Sequence, residues 1–354
     1  MAKWLVRGLV LAVVLAMAAG TVVYGLRARA LEPFRGYQGE EQFVDVPTGT
    51  GPRTIGARLV AAGVVRDDLT FRVALWLTGR ARALKAGEYR FAGPASAVQV
   101  AELLARGAIY TRPVTFREGL TIVEMADVYA SSGLGTRAAF VGAAQNASLV
   151  RDLDSAASDL EGYLFPDTYP VPRQTPAGTL VSQMVRGFRA ALPPDLIARA
   201  AADGLTVRQV VTLAALVEKE TAQDEERPVV AAVYRNRHRI GMPMQADPTV
   251  IFALQQAGKW DGNLSRDDLG FDSPYNTYRY GGLPPGPIAA PGRRALEAVV
   301  SPADVDYLYF VSRNDGTHVF ATTLRDHNRN VFEWQVKFFR DRRVRERAGR
   351  AASR

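Results

Sequence analysis

Two glutamates two positions apart, Glu218 and Glu220, are the residues of this sequence best placed for acid–base chemistry. Thr206 followed three residues later by Gln209 has the form of a capping box, so a helix is predicted from there to about Thr221. On a helical wheel Glu218 falls on the apolar stripe of that helix, and Glu220 falls on nearly the opposite side. The two carboxyl groups are therefore expected to differ in surroundings and in role.

The apolar surroundings predicted for Glu218 allow two interpretations. An ionised carboxylate there is unfavourable unless it is paired, and desolvation favours the protonated form, which suits a general acid. The small neighbours Ala214 and Ala215 would leave room for a ligand over the carboxyl group. Alternatively, Glu218 ends a buried helix and pairs with Arg235 or Arg237 of the next helix, since structural ion pairs also bury carboxylates.

A series of motifs surrounds the two glutamates. Its members are Glu218-Lys219-Glu220-Thr221, Asn236-Arg237, Met244-Gln245-Ala246-Asp247-Pro248, Ser273-Pro274-Tyr275-Asn276-Thr277-Tyr278, Gly282-Leu283-Pro284-Pro285-Gly286, and farther away Leu160-Glu161-Gly162-Tyr163 and His327-Asn328. Together they resemble the endolytic murein transglycosylase family. The resemblance covers nearly everything after about residue 42.

The resemblance implies a lytic transglycosylase that cleaves nascent peptidoglycan within its glycan strands and needs no cofactor. In the family mechanism a single glutamate, here Glu218, protonates the oxygen that links N-acetylmuramic acid to N-acetylglucosamine. Its carboxylate then takes the proton of the C6 hydroxyl of the same muramic acid, which closes a 1,6-anhydro ring. The residues expected to position the substrate or to orient the carboxyl group are Asn236, Gln245, Asp247, Tyr275, Asn276 and Glu220.

Two other functions stay open at this point. Glycoside hydrolysis uses two carboxylates about 5 to 10 Å apart, so a hydrolytic muramidase would need Asp247 or Glu161 to activate a water molecule. A non-catalytic, glycan-binding membrane scaffold would use Glu218 only as an ion-pair partner. No metal site is expected, because His318 and His327 are two lone histidines without a third ligand.

Composition narrows the class of protein. The 354 residues are 47% hydrophobic and 23% charged, which is typical of a globular chain long enough for two domains behind a targeting segment. The absence of cysteine excludes disulfides and thiolate chemistry. The net charge of +8 does not indicate a nucleic-acid partner, because residues 340–354 hold seven arginines against two acidic residues and so contribute +5.

The predicted fold class is α+β, with an N-terminal transmembrane helix, a small LysM-like α+β subdomain and a larger, mainly helical catalytic domain that carries a β-hairpin. Leu9 to Leu26 contains no charge and is just long enough to cross a hydrocarbon core of about 30 Å, as an uncleaved anchor or a cleaved signal peptide, with the anchor favoured. The predicted segments are a cytoplasmic tip and anchor (1–30), a linker (31–41), the LysM-like subdomain (42–112), the catalytic domain (113–340) and a basic tail (341–354).

Short elements are predicted inside these segments. In the LysM-like subdomain they are strands at 42–46 and 84–91 and helices at 54–62 and 97–105; beyond it they are a helix at 179–192, a helix at 229–239 and a hairpin of strands at 307–311 and 319–322. Asp247 is either the N-cap of a helix from Thr249 to Leu254 or a carboxylate lining the cleft.

The resemblance also implies a location and partners. The chain is expected in the cell inner membrane as a single-pass protein, with a cytoplasmic N-terminus and a periplasmic catalytic domain. Its partners are expected to be peptidoglycan glycan strands and the peptidoglycan synthases, the penicillin-binding proteins, near which strand elongation ends.

Overall fold

A computed structural model describes residues 2–173 and 175–340, so the predicted basic tail at 341–354 lies outside the described residues. In the described part of the chain, thirteen α-helices and six short strands form, and the strands pair two by two. The predicted α+β fold class is confirmed.

The chain divides into two units. Unit 1 comprises residues 1–112 with 170–173, and unit 2 comprises residues 113–169 with 174–354. The elements of unit 1 are α1 (Ala2–Leu31), β1 (Gln42–Val46), α2 (Pro52–Ala61), α3 (Asp68–Thr78), β2 (Gly87–Phe91) and α4 (Ala97–Arg106). Strands β3 (Arg112–Thr115) and β4 (Thr168–Val171) pair with each other.

Unit 2 is mainly helical and ends in a hairpin and a last helix. Its elements are α5 (Ile122–Ser131), α6 (Arg137–Ala144), α7 (Ala177–Ala191), α8 (Pro194–Ala202), α9 (Val207–Glu220), α10 (Arg227–Arg239), α11 (Asp247–Gln256), α12 (Arg293–Val300), β5 (Tyr309–Ser312), β6 (His318–Ala321) and α13 (Leu324–Val331). The predicted hairpin is confirmed, since β5 and β6 pair antiparallel with Tyr309 opposite Ala321.

In unit 1 a small sheet packs with three helices around one core. Strands β1 and β2 are antiparallel, with Gln42 opposite Phe91, and the core includes the fully buried side chains of Phe71, Tyr89 and Leu104. The sequence predicts no element at 68–78, where α3 forms. Asp67 caps that helix by accepting a hydrogen bond from the backbone of Thr70, a start signal that the sequence analysis missed.

Helix α1 is long and apolar enough to cross a membrane. Within Arg7–Leu31, an 18-residue stretch has a mean hydropathy of 2.4 and contains no buried residue, as suits a single-pass anchor. At its C-terminal end Ala30 is fully buried in the core of unit 1. The predicted linker that follows is hydrogen-bonded to the same unit, because Phe34 and Ala95 exchange backbone hydrogen bonds of 3.1 and 3.2 Å and the N–H of Gly36 donates to Gly63.

Helix α9 is the centre of unit 2 and carries both glutamates at its C-terminal end. The predicted capping box is confirmed: Thr206 accepts from the backbone of Gln209, whose side chain accepts in return from the backbone N–H of Thr206. Every residue from Val210 to Val217 is buried, as α9 packs against α8, α10, α11 and α12. A helix that is apolar all round is a core helix rather than a surface one.

The helix after α10 begins earlier than predicted. Helix α11 begins at Asp247, and its N-cap residue is Ala246, which makes no side-chain capping bond. The carboxylate of Asp247 instead accepts a hydrogen bond of 2.6 Å from the hydroxyl of Tyr278. The capping interpretation of Asp247 is therefore wrong.

The capping box gives a prediction for the stability of unit 2. Replacing Thr206 by Ala removes the side-chain acceptor at the start of α9, and we expect the free energy of unfolding to fall by about 1 kcal/mol. Thr206→Ser keeps the hydroxyl group and should stay close to the wild type. Chemical denaturation followed by circular dichroism measures both variants, and equal losses would show that the cap does not stabilise α9.

Candidate active site

The carboxylate of Glu218 is enclosed and paired. Its side chain is 5% exposed and lies 3.1 Å from the guanidinium of Arg227, while the backbone N–H of Gly292 donates to its other oxygen at 2.9 Å. The expected pairing with Arg235 or Arg237 is wrong, because Arg235 pairs with Asp203 and Arg237 donates to backbone carbonyls. The partner is instead the first residue of α10.

Several acidic side chains surround Arg227 in an open cleft, which is lined by Glu118, Glu218 and Arg227, among others, and is here called the Glu218 cleft. Its guanidinium pairs with Glu118, Glu218 and Asp224, and Arg294 also pairs with Asp224. Burial and the nearby charge of Glu218 raise the pKa of the Glu118 carboxyl group, although the two arginines act in the opposite direction. The cluster therefore joins the loop before α5 to the ends of α9, α10 and α12.

Glu220 lies in a different cavity, here called the Glu220 cavity. This cavity has a volume of about 380 Å³ and is lined, among others, by Glu220, Gln245, Asp247, Tyr278, Tyr309 and His327. The hydroxyl of Tyr234, a residue that is 1% exposed, donates to Oε1 of Glu220 at 2.7 Å. Among the described residues, no group hydrogen-bonds to Oε2 of Glu220.

The electrostatics of the Glu220 cavity favour a protonated carboxyl group. Burial raises the pKa of Glu220 above its usual value, and the negative charge of Asp247 raises it further. The hydrogen bond from Tyr234 and the charges of His318 and Arg237 lower it by less. The raised pKa shifts Glu220 towards the protonated form, which is the direction that a general acid requires.

Gln245 and Asp247 reach this cavity from the segment between α10 and α11. Gln245 has a left-handed backbone with φ of 47°, which is uncommon for a residue other than glycine. Such conformations cost energy and cluster at ligand sites and active sites. The hydroxyl of Tyr278 fixes one oxygen of Asp247, so the cavity holds two carboxyl groups with defined positions.

Arg237 and His327 complete the wall of the cavity. Arg237 is 7% exposed and donates to the carbonyls of Leu308 and Met244, both at 2.6 Å. The ring of His327 stacks on Tyr309 with a centroid distance of 5.1 Å, and its Nδ1 is buried without a hydrogen-bond partner among the described residues. Burial and the charge of Arg237 lower the pKa of His327, so its ring is neutral.

Three of the residues predicted to support the site do not line either the cleft or the cavity. The amide of Asn236 donates to the carbonyls of Val305 and Tyr307, and the amide of Asn276 donates to those of Leu269 and Phe271. Tyr275 packs against Phe252 with a centroid distance of 4.9 Å. Their contacts hold backbone segments and loop side chains in place.

Sequence reasoning missed Tyr234, Arg227 and Glu118. Tyr234 and Arg237 lie three positions apart on α10 and so face the same side, a spacing that could have grouped them beside Glu220. Arg227 precedes a proline at the start of α10, which marks a helix N-terminus but gives no sign of a buried charge. Glu118 lies about one hundred positions from Glu218, and no local pattern connects the two.

Comparison with known proteins adds to this geometry. Residues 44–333 match the profile of the YceG-like family. The chain belongs to the YceG-like family. A crystal structure of a YceG-like protein from Listeria monocytogenes is 27% identical, covers 82% of this chain and 98% of the other, and superposes with a TM-score of 0.56.

Two curated relatives of this YceG-like chain carry the name endolytic murein transglycosylase. The one from Bacillus subtilis is 29% identical over 326 residues, which is 88% of this chain and 89% of the relative. The one from Streptococcus pneumoniae serotype 2 is 30% identical over 320 residues, which is 82% of this chain but 58% of the relative.

The ion pair of Glu218 gives a second prediction. Arg227→Met leaves a buried carboxylate without its cation, so we expect the free energy of unfolding to fall by about 3–5 kcal/mol. The double variant Arg227→Met/Glu218→Leu removes both charges and should lose less. As a control, Arg235→Met breaks a pair with the half-exposed Asp203 and should cost about 1 kcal/mol or less. Denaturation curves measure the free energy of unfolding of all three variants. If Arg227→Met were as stable as the double variant, the result would contradict a buried ion pair.

Proposed function

We propose that this chain is an endolytic lytic transglycosylase, a carbon–oxygen lyase that cleaves the bond between N-acetylmuramic acid and N-acetylglucosamine in nascent peptidoglycan. It leaves a 1,6-anhydro-N-acetylmuramic acid end and so ends elongation of the glycan strand. Membership of the YceG-like family and relatives named endolytic murein transglycosylase, matched over more than four fifths of this chain, support this function.

We also propose that Glu220, rather than Glu218, donates the proton. The observation that carries this proposal is the difference between their partners. Glu218 has a cation at 3.1 Å and a backbone donor at 2.9 Å, so both of its oxygens are engaged. Glu220 has a tyrosine hydroxyl on one oxygen, a raised pKa and a cavity of about 380 Å³ beside it. Glu220 therefore combines a raised pKa, and one oxygen without a hydrogen-bond partner among the described residues, with room for a sugar.

The reaction then needs one carboxyl group acting twice. Protonated Glu220 gives its proton to the glycosidic oxygen, and the bond from that oxygen to C1 of the muramic acid breaks. The C6 hydroxyl oxygen of the same sugar bonds to C1, and its proton passes to the Glu220 carboxylate. The enzyme ends as it began, and no water is consumed. We propose that Gln245 orients the sugar and that Tyr278 orients Asp247.

The position of Asp247 leaves a hydrolytic muramidase as an alternative function that product analysis can test. It shares the Glu220 cavity, and two carboxyl groups beside one bond are the arrangement used by glycoside hydrolases. If Asp247 activated a water molecule, the products would carry free reducing ends instead of anhydro ends. We propose instead that its negative charge stabilises the positive charge that develops at C1. A silent glycan-binding scaffold is the remaining alternative.

The apolar helix α1 supports anchoring in a membrane, and we propose the bacterial inner membrane with the N-terminus in the cytoplasm and the residues after α1 in the periplasm. Residues 42–112 are proposed to act as a LysM-like glycan-binding subdomain and residues 113–340 as the catalytic domain. Peptidoglycan synthases of the penicillin-binding type are proposed partners, since the substrate is the strand that they extend.

The assignment of the acid gives a third prediction. Peptidoglycan is digested with the full-length chain in detergent, as wild type, Glu220→Gln and Glu218→Gln, and the product masses are read. We expect anhydro ends from the wild type and a loss of at least about a hundredfold in rate for Glu220→Gln, because general acid catalysis contributes about 10²–10⁴-fold.

The matched variant Glu218→Gln keeps a hydrogen-bonding side chain beside Arg227 and should retain more activity than Glu220→Gln. Loss confined to Glu218→Gln would return the acid role to Glu218. Free reducing ends from the wild type would indicate a muramidase. Intact glycan with every protein, together with retained binding, would indicate the scaffold.

The raised pKa of Glu220 gives a fourth prediction. The acid must hold its proton, so kcat/KM is high at pH values below the raised pKa and falls as the pH rises through it. Asp247→Asn removes one cause of the raised pKa, and the falling limb should therefore move to lower pH. Tyr280→Phe, which changes an exposed tyrosine outside the cavity, should leave the limb in place. A limb that is unchanged in Asp247→Asn would argue against coupling of the two carboxyl groups.

A further inference from the structure

A third cavity of unit 2, here called the Trp260 cavity, has a volume of about 280 Å³ and lies apart from both glutamates of α9. Its lining includes Trp260, Phe252, Val123, Glu161, Gln255 and Gln256. Aromatic and apolar side chains next to a few polar groups are the usual composition of a small-molecule site, and the volume is near the lower end for such sites. The cavity has the size for one sugar ring rather than for a peptide.

The polar groups of this cavity can both donate and accept hydrogen bonds. The amides of Gln255 and Gln256 are exposed at the C-terminal end of α11 and offer both functions. Both oxygens of Glu161 accept from the backbone N–H of Ile122, at 3.2 and 3.1 Å. Burial raises the pKa of Glu161 to about 8, so the group also offers an O–H at neutral pH.

The aromatic wall is suited to the flat face of a sugar. Phe252 is held in place by its contact with Tyr275, at a centroid distance of 4.9 Å. Trp260 is partly exposed and lines the cavity, as does Val123, which is 46% exposed. An aromatic ring provides a large apolar surface for the C–H face of a pyranose, while the hydroxyl groups around the ring meet the neighbouring amides.

Helix α11 connects this cavity to the Glu220 cavity. Its first residue, Asp247, lines the Glu220 cavity, and its last residue, Gln256, lines the Trp260 cavity. At 1.5 Å per residue the backbone between them rises by about 13 Å. A single sugar ring is too short to span this distance, but a glycan strand of several rings is long enough.

We propose that the Trp260 cavity is a distal subsite that binds one sugar ring of the same glycan strand whose bond is cleaved in the Glu220 cavity. The inference rests on the proposed function, because it takes the substrate of that reaction as the ligand. It adds a length requirement, since a strand must reach from one end of α11 to the other to occupy both cavities. Short glycans then bind only in the Glu220 cavity.

The test measures binding without turnover. The full-length chain in detergent carries Glu220→Gln, and its affinity for peptide-free glycan disaccharides, tetrasaccharides and hexasaccharides is measured by calorimetry. Trp260→Ala, Trp260→Phe and Trp334→Ala are added to this background, the last as a tryptophan of unit 2 outside the cavity. Thermal unfolding checks that each variant folds. If Trp260→Ala does not fold, Gln256→Ala replaces it as the variant that alters the Trp260 cavity.

We expect the longest glycan to bind more tightly than the disaccharide to the parent protein. Trp260→Ala should weaken hexasaccharide binding by about five- to tenfold and leave the disaccharide unchanged, whereas Trp260→Phe should keep most of the gain. Trp334→Ala should match the parent. Equal affinities of Trp260→Ala and the parent for every length would overturn the subsite, and so would a parent that binds no peptide-free glycan. Anhydro ends made by the wild type report separately on the proposed function.

Discussion

A carboxylate can be enclosed in a protein only if its charge is compensated or its proton is retained. Within three residues at the end of α9, the charge of Glu218 is compensated and the pKa of Glu220 is raised in the direction that retains its proton. Glu218 is compensated by Arg227 and by the backbone N–H of Gly292, so it connects the start of α10 and the start of α12 to α9. Between the two glutamates, Lys219 donates to the carbonyl of Gly119. The helix end is thereby fixed from three directions.

This fixation has a consequence for the reactive group. A proton donor must be held within a fraction of an ångström of its target geometry, which requires support from the surrounding side chains. Among the described residues, only Tyr234 donates a hydrogen bond to the side chain of Glu220, which therefore depends on the rigidity of the helix end for its position. In the proposed mechanism the ion pair of Glu218 therefore serves catalysis through structure, and the second oxygen of Glu220 is available to a substrate.

The sequence predicted local elements well where a local signal existed. The capping box of α9, the alternation of β1 and the turn of the final hairpin each depend on neighbouring residues, and each element forms within a few positions of its prediction. The helical wheel succeeded in separating Glu218 from Glu220 but could not tell which of them faces a ligand. The wheel assumes a solvent-exposed face, and α9 is buried on all sides from Val210 to Val217.

The arrangement of the site depended on contacts that no local pattern records. Gln245, Asp247 and Glu220 meet in one cavity, while the amide NH₂ groups of Asn236 and Asn276 donate to backbone carbonyls. A motif can therefore mark a residue that holds a loop as readily as one that touches a substrate. Unused hydrogen-bonding capacity inside a cavity distinguishes the two roles, because an unsatisfied buried polar atom costs free energy that a ligand can restore. Among the described residues that line the Glu220 cavity, the Nδ1 of His327 meets that criterion, and Oε2 of Glu220 has no hydrogen-bond partner.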